Sequence, residues 1–432
     1  MKKNISLLIF HTLSFLFITL SCDTTEPPII QPPPPVVKDS IEVFITGTFH
    51  RSLELNIKTT AKNKNSVIEV YRKQSNTITL VAEYPITVID TIITDDNNGN
   101  DLIIDTDYNY YAVRRDSTGA KKDTSNMATT KTLAPTSFTY TWQEFSLGSG
   151  ENPNALYGVW GTDENNVYAV GGVTINDTVY GILHWDGVEW KPVKYFGGGF
   201  SIYGFSESDI WVVGGGVFHF NGTLWEEYTF RDPVILANIS YTSVWGTSSN
   251  NIYFGNSGGT IVHWNGSKAQ VVYTNPSTVQ VKDMDGFASD FIIGVGTGMI
   301  PPLLAVKYNG TNWNQLPINS NWSLNAVSIV NRNHIFFCGG GIYEMKRNNA
   351  NRIYNSGFYI WDIKYNKQNG VTVASGSYDG IYINNGMEWM NLKGQITNDE
   401  STLVSVFLIS NTLFCVGSTT LNNKAKIIIG KN

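Results

Sequence analysis

The stretch Tyr157–Gly161 reads Tyr-Gly-Val-Trp-Gly, and after a short polar segment Val167–Gly172 reads Val-Tyr-Ala-Val-Gly-Gly. A His-Trp-Asp-Gly segment and a further tryptophan, Trp190, follow. The same order returns as Thr-Ser-Val-Trp-Gly, Ile-Tyr-Phe-Gly and His-Trp-Asn-Gly at Thr242–Gly246, Ile252–Gly255 and His263–Gly266. Apolar segments that end in glycine or Asx-Gly are typical of short strands joined by tight turns. This part of the chain therefore repeats one unit built of several short strands.

The repeat predicts a β-propeller, because a period of roughly 40 residues with four short strands per unit is typical of one propeller blade. Seven copies align on one apolar residue of their first strands: Val159, Phe205, Val244, Met284, Val327, Ile363 and Val406. Five of the copies carry an Asx-Gly turn between the third and fourth strands. The sequence thus predicts seven blades over residues 138–432, with six or eight as the alternatives.

The seventh copy lacks its fourth strand, since the chain ends at Asn432 after three strands. Just before the first copy, Phe138–Phe145 has the pattern of an isolated fourth strand. Its Trp142–Phe145, Trp-Gln-Glu-Phe, matches the Trp-Glu-Glu-Tyr of Trp225–Tyr228. We therefore expect this N-terminal strand to close the propeller by completing the last blade, which removes an open strand edge.

Residues 39–134 have a different pattern, in which apolar and polar residues alternate over short runs such as Ile41–Ile45 and Leu53–Ile57. Such runs predict an antiparallel β-sandwich. The segment resembles a fibronectin type III module, which implies that Tyr108 bonds back to the corner before its strand. An unrelated sandwich is the alternative. The Asp-rich and Asn-rich loop Asp95–Asp101 is either a calcium site or a solvated polar turn.

The N-terminus has the pattern of a targeting segment, with Lys2 and Lys3 before an apolar run that is too short to favour a stable membrane span. Residues 1–21 resemble a bacterial lipoprotein signal, which implies cleavage before Cys22 and lipidation of that cysteine. A plain secretory peptide and an uncleaved anchor are the alternatives. The proline-rich residues 22–38 predict an extended tether between the lipid and the folded chain.

Composition excludes some classes of partner. The formal net charge is −6 and no basic stripe is present, which argues against nucleic acid as a ligand. The remaining cysteines, Cys338 and Cys415, lie in apolar strands and form no disulfide framework or zinc cluster. We find no phosphate-binding loop and no nucleophile motif. The sequence therefore predicts no cofactor, no metal site and no enzyme activity.

The repeats resemble those of bacterial extracytoplasmic propellers marked by Val-Trp-Gly, Val-Gly-Gly and Asp-Gly-x-x-Trp. With the anchor, this predicts an all-β, monomeric outer-membrane lipoprotein, on the cell surface or facing the periplasm, that binds a protein or glycan as an adhesion or recognition protein. The alternatives are a periplasm-facing scaffold for outer-membrane assembly and a propeller enzyme acting on polysaccharide, for which Asp285 and Asp362 could approach the channel. Function tends to lie on loops held by a rigid scaffold. The candidate binding residues, all in such loops, are Tyr180, Arg231, Asp232, Met299, Trp322 and Tyr378.

Overall fold

The computed structural model describes residues 40–60, 65–87, 90–149, 154–194, 198–228, 239–298, 303–319, 321, 323–398 and 400–432. The predicted signal segment, Cys22 and the tether lie outside these residues. The described part is all-β, apart from two 3-10 turns at Asn97–Gly99 and Lys393–Gln395. None of the helical segments in this part has the length and apolar character of a membrane span.

The first eight strands form a two-layer unit. They are β1 (Ile41–Thr48), β2 (Leu53–Thr59), β3 (Val67–Gln74), β4 (Thr77–Pro85), β5 (Asp90–Asp95), β6 (Asp107–Arg115), β7 (Lys121–Thr124) and β8 (Ala128–Lys131). One sheet has the order β1-β2-β5. The other has the order β4-β3-β6-β7, and β8 also pairs with β6. Buried side chains from both sheets form one core, so this unit is a β-sandwich.

The sandwich core comes from the side chains that the alternating pattern places on the inner face of each strand. Leu53 and Leu55 of β2 and Val70 of β3 are fully buried. The hydroxyl of Tyr108 accepts a hydrogen bond from the backbone N–H of Ile103 at 3.0 Å. This bond fixes the start of β6 to the corner that precedes it.

From Thr141 onward, the described residues form seven four-stranded antiparallel sheets, which we number 1 to 7 along the chain. Sheets 1 to 3 contain β10 (Ala155–Asp163), β11 (Asn166–Ile175), β12 (Thr178–Trp185) and β13 (Trp190–Lys194); β14 (Gly199–Ser206), β15 (Asp209–Gly214), β16 (Val217–Phe220) and β17 (Trp225–Glu227); and β18 (Tyr241–Ser248), β19 (Asn251–Asn256), β20 (Thr260–Trp264) and β21 (Ala269–Thr274). Sheets 4 and 5 contain β22 (Asp283–Ala288), β23 (Phe291–Thr297), β24 (Leu303–Tyr308) and β25 (Trp313–Gln315); and β26 (Leu324–Asn331), β27 (His334–Gly339), β28 (Ile342–Lys346) and β29 (Asn349–Tyr354). Sheets 6 and 7 contain β30 (Ile360–Tyr365), β31 (Thr372–Gly376), β32 (Ile381–Asn384) and β33 (Trp389–Asn391); and β34 (Thr402–Ile409), β35 (Thr412–Ser418), β36 (Ala425–Lys431) and β9 (Thr141–Leu147).

The sheets are arranged like a propeller. The first strand of each sheet contacts the first strand of the next, and β34 of sheet 7 contacts β10 of sheet 1, so the ring is closed. In sheet 7, β9 pairs antiparallel with β36 and places Phe145 opposite Ile427. The segment before the first copy thus supplies the fourth strand of the last sheet, as the sequence predicts.

The alignment of the second copy on Phe205 is wrong by three residues. In β14, Ile202 lies opposite Val212 in the same way that Val159 lies opposite Ala169 in sheet 1. Ile202 is therefore the equivalent residue. A tyrosine replaces the tryptophan of the motif in this copy, which reads Ile-Tyr-Gly and is harder to recognise.

Repeated polar residues fix the outer half of the sheets. Gly187 of the first Asx-Gly turn has φ 92°, a left-handed conformation that glycine adopts without strain. The ring of His184 stacks on Tyr168 with 4.4 Å between centroids. His263 stacks on Tyr253 at the same distance in sheet 3. These repeated histidines therefore pack against aromatic residues of the neighbouring strand.

The two faces of the ring carry different connections. We call lower the face with the turns between first and second and between third and fourth strands, and upper the face with the second-to-third turns and the links between sheets. The sandwich contacts lower-face turns of sheets 5 and 6. Arg51 Nε donates to the carbonyl of Gly386 at 3.0 Å, and Lys346 Nζ lies 3.0 Å from Asp101 Oδ1. The upper face is therefore on the side of the ring opposite the sandwich.

Candidate binding site

A cavity of about 660 Å³ lies along the axis of the ring. The first strands of all seven sheets contribute to its wall. At the upper end it reaches Tyr157 and Phe200, and at the other end it reaches Tyr365 and Leu408. A concave, largely preformed space of this size is within the range of small-ligand and side-chain binding sites.

The wall of this cavity is chemically divided. Equivalent positions of the first strands hold Trp160, Tyr203 and Trp245 in sheets 1 to 3. They are equivalent by strand register, since they pair with Tyr168, Trp211 and Tyr253 of the second strands. The same position holds Asp285 in sheet 4 and Lys364 in sheet 6. The repeat thus places aromatic side chains on one side of the axis and charged side chains on another.

The aromatic residues also pack between sheets. A Cβ atom added at Gly204 would lie 2.4 Å from the ring of Trp160, and one added at Gly286 would lie 2.2 Å from the ring of Trp245. Each glycine therefore leaves the space that the tryptophan of the preceding sheets occupies. This contact explains why glycine follows the aromatic position in the repeat.

The charged side is a cluster of three carboxylates around one ammonium group. Lys364 Nζ lies 3.3 Å from Asp283 Oδ2 and 3.4 Å from Asp362 Oδ1. Asp285 Oδ2 accepts the backbone N–H of Ile329 in sheet 5 at 2.7 Å. Asp283 and Asp362 accept backbone N–H groups of the following sheet in the same way, each at 3.0 Å. The carboxylates therefore connect neighbouring sheets as well as face the cavity.

The electrostatics of the cluster are unbalanced because one lysine serves three acids. Burial raises the pKa of Asp283 to about 6, although Lys364 partly opposes this shift. Burial also raises the pKa of Asp285. For Lys364, burial lowers the pKa, but the surrounding carboxylates outweigh it and raise the pKa overall. The lysine is thus firmly charged, whereas burial opposes the charged forms of Asp283 and Asp285, as expected for acids that outnumber their nearby cation.

Exposed aromatic residues lie on the upper face of the ring, and two of them, Tyr157 and Phe200, line the upper end of the cavity. Tyr157 and Phe200 are 40% and 42% exposed and make an edge contact, with 5.7 Å between ring centroids. On the other side, Phe358 lies 4.6 Å from the ring of Tyr378, and Tyr359 is more than half exposed. Large exposed aromatic side chains around a cavity are a feature of ligand-binding surfaces. We call these five residues the aromatic rim.

The structure places the sequence-predicted binding residues in different surroundings. Tyr378 belongs to the aromatic rim, with φ 57°, next to Asp379, whose carboxylate accepts the backbone N–H of Ser401 at 2.8 Å. Tyr180 is half-buried and packs against the core between sheets 7 and 1. Arg231, Asp232, Met299 and Trp322 lie outside the described residues.

The other members of the rim were missed by the sequence prediction. Tyr157 and Phe200 lie near the start of β10 and β14, the first strands of sheets 1 and 2, where the repeat suggested structural residues. Their signal in the sequence is an aromatic residue three positions before the Trp or Tyr of the first-strand motif. A search restricted to long loops could not find them.

The loop Asp95–Asp101 serves the contact between the sandwich and the ring. Its three aspartates each engage a cationic side chain, in the pairs Arg72–Asp95, Arg347–Asp96 and Lys346–Asp101. Two of those cations belong to the lower face of sheet 5. Within the part of the chain that the structure describes, no group of three or more His, Cys, Asp or Glu residues is arranged to hold a metal ion.

Comparison with solved structures shows the class of the fold. The structure of YCF48 bound to a D1 peptide is similar to this chain, with 13% identity and a TM-score of 0.53, over 70% of this chain and 100% of that chain. The WD40 β-propeller domain of Doa1 has 15% identity and a TM-score of 0.48 over 67% and 97% of the two chains. BBS1N in complex with ARL6DN has 10% identity and a TM-score of 0.47 over 68% and 97%. No family model matches this chain, and no curated protein matches its sequence. The arrangement of the sheets and the first of these likenesses define a β-propeller.

Proposed function

We propose that this protein is an outer-membrane lipoprotein, anchored through Cys22, that presents a seven-bladed propeller for binding a protein or glycan at the cell envelope. The observation that carries the proposal is the aromatic rim on the upper face, of which Tyr157 and Phe200 line the mouth of the axial cavity. Aromatic side chains supply much of the binding energy at protein interfaces and stack on sugar rings. In this proposal the aromatic rim is the ligand-binding surface, and the protein acts as a monomer in adhesion or recognition.

The position of the sandwich supports the choice of face. Its contacts, through residues such as Arg51 and Asp101, use the lower face of the ring. We propose that the lower face, which carries the sandwich, is the membrane-facing side of the ring and that the upper face points away from the membrane. We propose that the sandwich is a fibronectin type III-like spacer, since its strand order and the Tyr108–Ile103 bond suit such a module.

We favour binding over catalysis for the axial acids. Asp285 and Asp362 do line the cavity, but their oxygens accept backbone N–H groups, and Asp362 also accepts the hydroxyl of Ser405 at 2.9 Å. Carboxylate oxygens that already accept hydrogen bonds have fewer free lone pairs with which to take a proton or attack a substrate. We therefore propose that these acids shape and charge the cavity rather than attack a substrate.

Photo-crosslinking in intact cells tests the proposed face. A photoreactive phenylalanine analogue at Phe200 or Tyr359 is expected to form a crosslinked product with a defined partner. The matched control is the same analogue at Val188, which is 79% exposed on a lower-face turn. Equal crosslinking at Val188 and Phe200, or none at either rim position, would contradict the proposal.

Protease shaving of intact cells tests the location. Digestion of the propeller while periplasmic markers survive is expected for a surface-exposed protein. A Cys22→Ser variant should release the protein from the membrane fraction. Protection of the propeller until the envelope is broken would instead favour the periplasm-facing scaffold.

A further inference from the structure

The charged residues that line the axial cavity do not balance. They are three acids, Asp283, Asp285 and Asp362, and two lysines, Lys282 and Lys364, which leaves a net charge of −1. Lys282 adds its charge to the wall without pairing with one of these acids, since its Nζ donates to Asn325 Oδ1 at 2.8 Å. The cavity thus has room for one additional positive charge beside its acids.

One buried polar group of the cavity wall lacks a hydrogen-bond partner. Tyr365 belongs to the wall at the lower end, and its buried hydroxyl has no hydrogen-bond partner among the described residues. Buried polar groups in native proteins are nearly always hydrogen-bonded. A ligand group with N–H donors that reached the lower end of the cavity would supply such a partner.

The opposite wall suits a flat cation. Trp160 and Tyr203 are half-buried on the aromatic side, and burial together with the nearby Asp285 carboxylate raises the pKa of Tyr203 to about 12. Aromatic faces attract cations, and the planar guanidinium of arginine both stacks on rings and donates to carboxylates. The cavity therefore combines the two recognition elements that select arginine.

Building on the proposed function, we propose that the ligand is a protein whose extended segment inserts one arginine side chain into the axial cavity. The guanidinium lies between Asp285 and the aromatic wall, and the flanking residues of the segment lie on Tyr157 and Phe200 of the aromatic rim. The charge complementarity of the cavity favours such a segment over a neutral glycan.

Two model peptides test this inference by calorimetry with the purified full-length protein in detergent. The first is acetyl-Gly-Phe-Arg-Phe-Gly amide, and the second has citrulline in place of arginine, which keeps the shape and removes the charge. We expect the arginine peptide to bind at least tenfold more tightly, because hydrogen bonds between charged groups are stronger than neutral ones.

Variants of the protein separate charge from folding. Asp285→Asn should abolish the preference for arginine, while its amide oxygen can still accept the Ile329 N–H. Lys282→Gln should change affinity in the opposite direction and strengthen arginine binding several-fold. Glu207→Gln is the matched control, since it removes one negative charge from an exposed lower-face turn and should change neither affinity.

The outcomes distinguish this inference from the proposed function. Equal affinity for both peptides, reduced in each case by Phe200→Ala, would overturn the arginine site and leave the binding face in place. Absence of binding by both peptides would also overturn the inference, whereas the proposed function rests on crosslinking at Phe200 in cells. Binding of neutral oligosaccharides that Asp285→Asn does not alter would point to a glycan ligand instead.

Discussion

The two sides of the axial cavity use one register position for different purposes. In sheets 1 and 3 that position holds Trp160 and Trp245, whose rings fill the space above a glycine in the next sheet. In sheets 4 and 6 it holds Asp285 and Lys364, which are charged and face the cavity. The comparison teaches that residues which follow the repeat build the ring, whereas departures from the repeat give this propeller its chemical character.

The largest effect is expected on the aromatic side. Trp245→Ala should lower the free energy of unfolding by about 3–5 kcal/mol, because it empties a packed space between sheets. Gly286→Ala should also destabilise the wild-type protein, since its Cβ would lie 2.2 Å from the Trp245 ring. In the Trp245→Ala background the same glycine change should be nearly neutral. Denaturant unfolding of the four proteins gives this cycle, and additive losses would mean that the two residues do not share a contact.

A smaller and pH-dependent effect is expected on the charged side. Lys364→Met leaves three carboxylates without their cation and should cost about 2–3 kcal/mol at pH 8. The loss should shrink toward pH 5, because protonation of the acids removes their repulsion. Trp245→Ala provides the control, as its loss should not depend on pH. Unfolding curves of the wild type and of Lys364→Met at pH 8 and pH 5 measure this loss. A loss that is equal at both pH values would contradict an electrostatic role of Lys364 among the three acids.

The sequence predicted most of the ring because glycines, Asx-Gly turns and apolar runs recur at fixed spacing and specify local structure. It also predicted that Trp142–Phe145 belongs to the strand that completes the last sheet, since the pattern of that segment matches a fourth strand. The error at Phe205 arose where a tyrosine replaces the motif tryptophan. Periodicity was therefore reliable where the repeat is regular and failed where one aromatic residue substitutes for another.

The candidate site was much less predictable from sequence. Asp285 and Asp362 were recognised as residues that could approach the channel, but the ion pair that completes their cluster, between Asp283 and Lys364, joins residues 81 positions apart and depends on the packing of sheet 4 near sheet 6. The rim residues Tyr157 and Phe200 were missed because they lie in strands, not loops. A repeat specifies where a strand lies, but which side chains meet across the axis follows only from the closed structure.

Asp283 should make a pH-dependent contribution of about 1–3 kcal/mol to the free energy of unfolding, which the aromatic residues of the cavity do not make. Burial raises the pKa of Asp283 from 3.8 to about 6 in the folded protein, so this group stabilises the fold below pH 4 and loses that contribution as the pH rises through 6. Asp283→Asn lacks the contribution. The stability of the wild type relative to the variant should therefore increase between pH 7.5 and pH 4. A constant difference over this range would show that Asp283 titrates normally.

The smallest effect on stability is expected at the aromatic rim, whose residues are aromatic like those of the cavity wall but are exposed rather than buried. Phe200→Ala should change the free energy of unfolding by less than about 1 kcal/mol, because Phe200 is 42% exposed and makes only an edge contact with Tyr157. Trp245→Ala, measured in parallel, shows what loss of a packed aromatic residue costs. If both variants lost similar stability, Phe200 would be a packing residue like Trp245. If Phe200→Ala leaves the fold intact, the Phe200 ring is not needed for packing and is available to contact a ligand. The aromatic residues of the first strands would then have two separate roles, with Trp245 stabilising the ring and Phe200 binding the ligand.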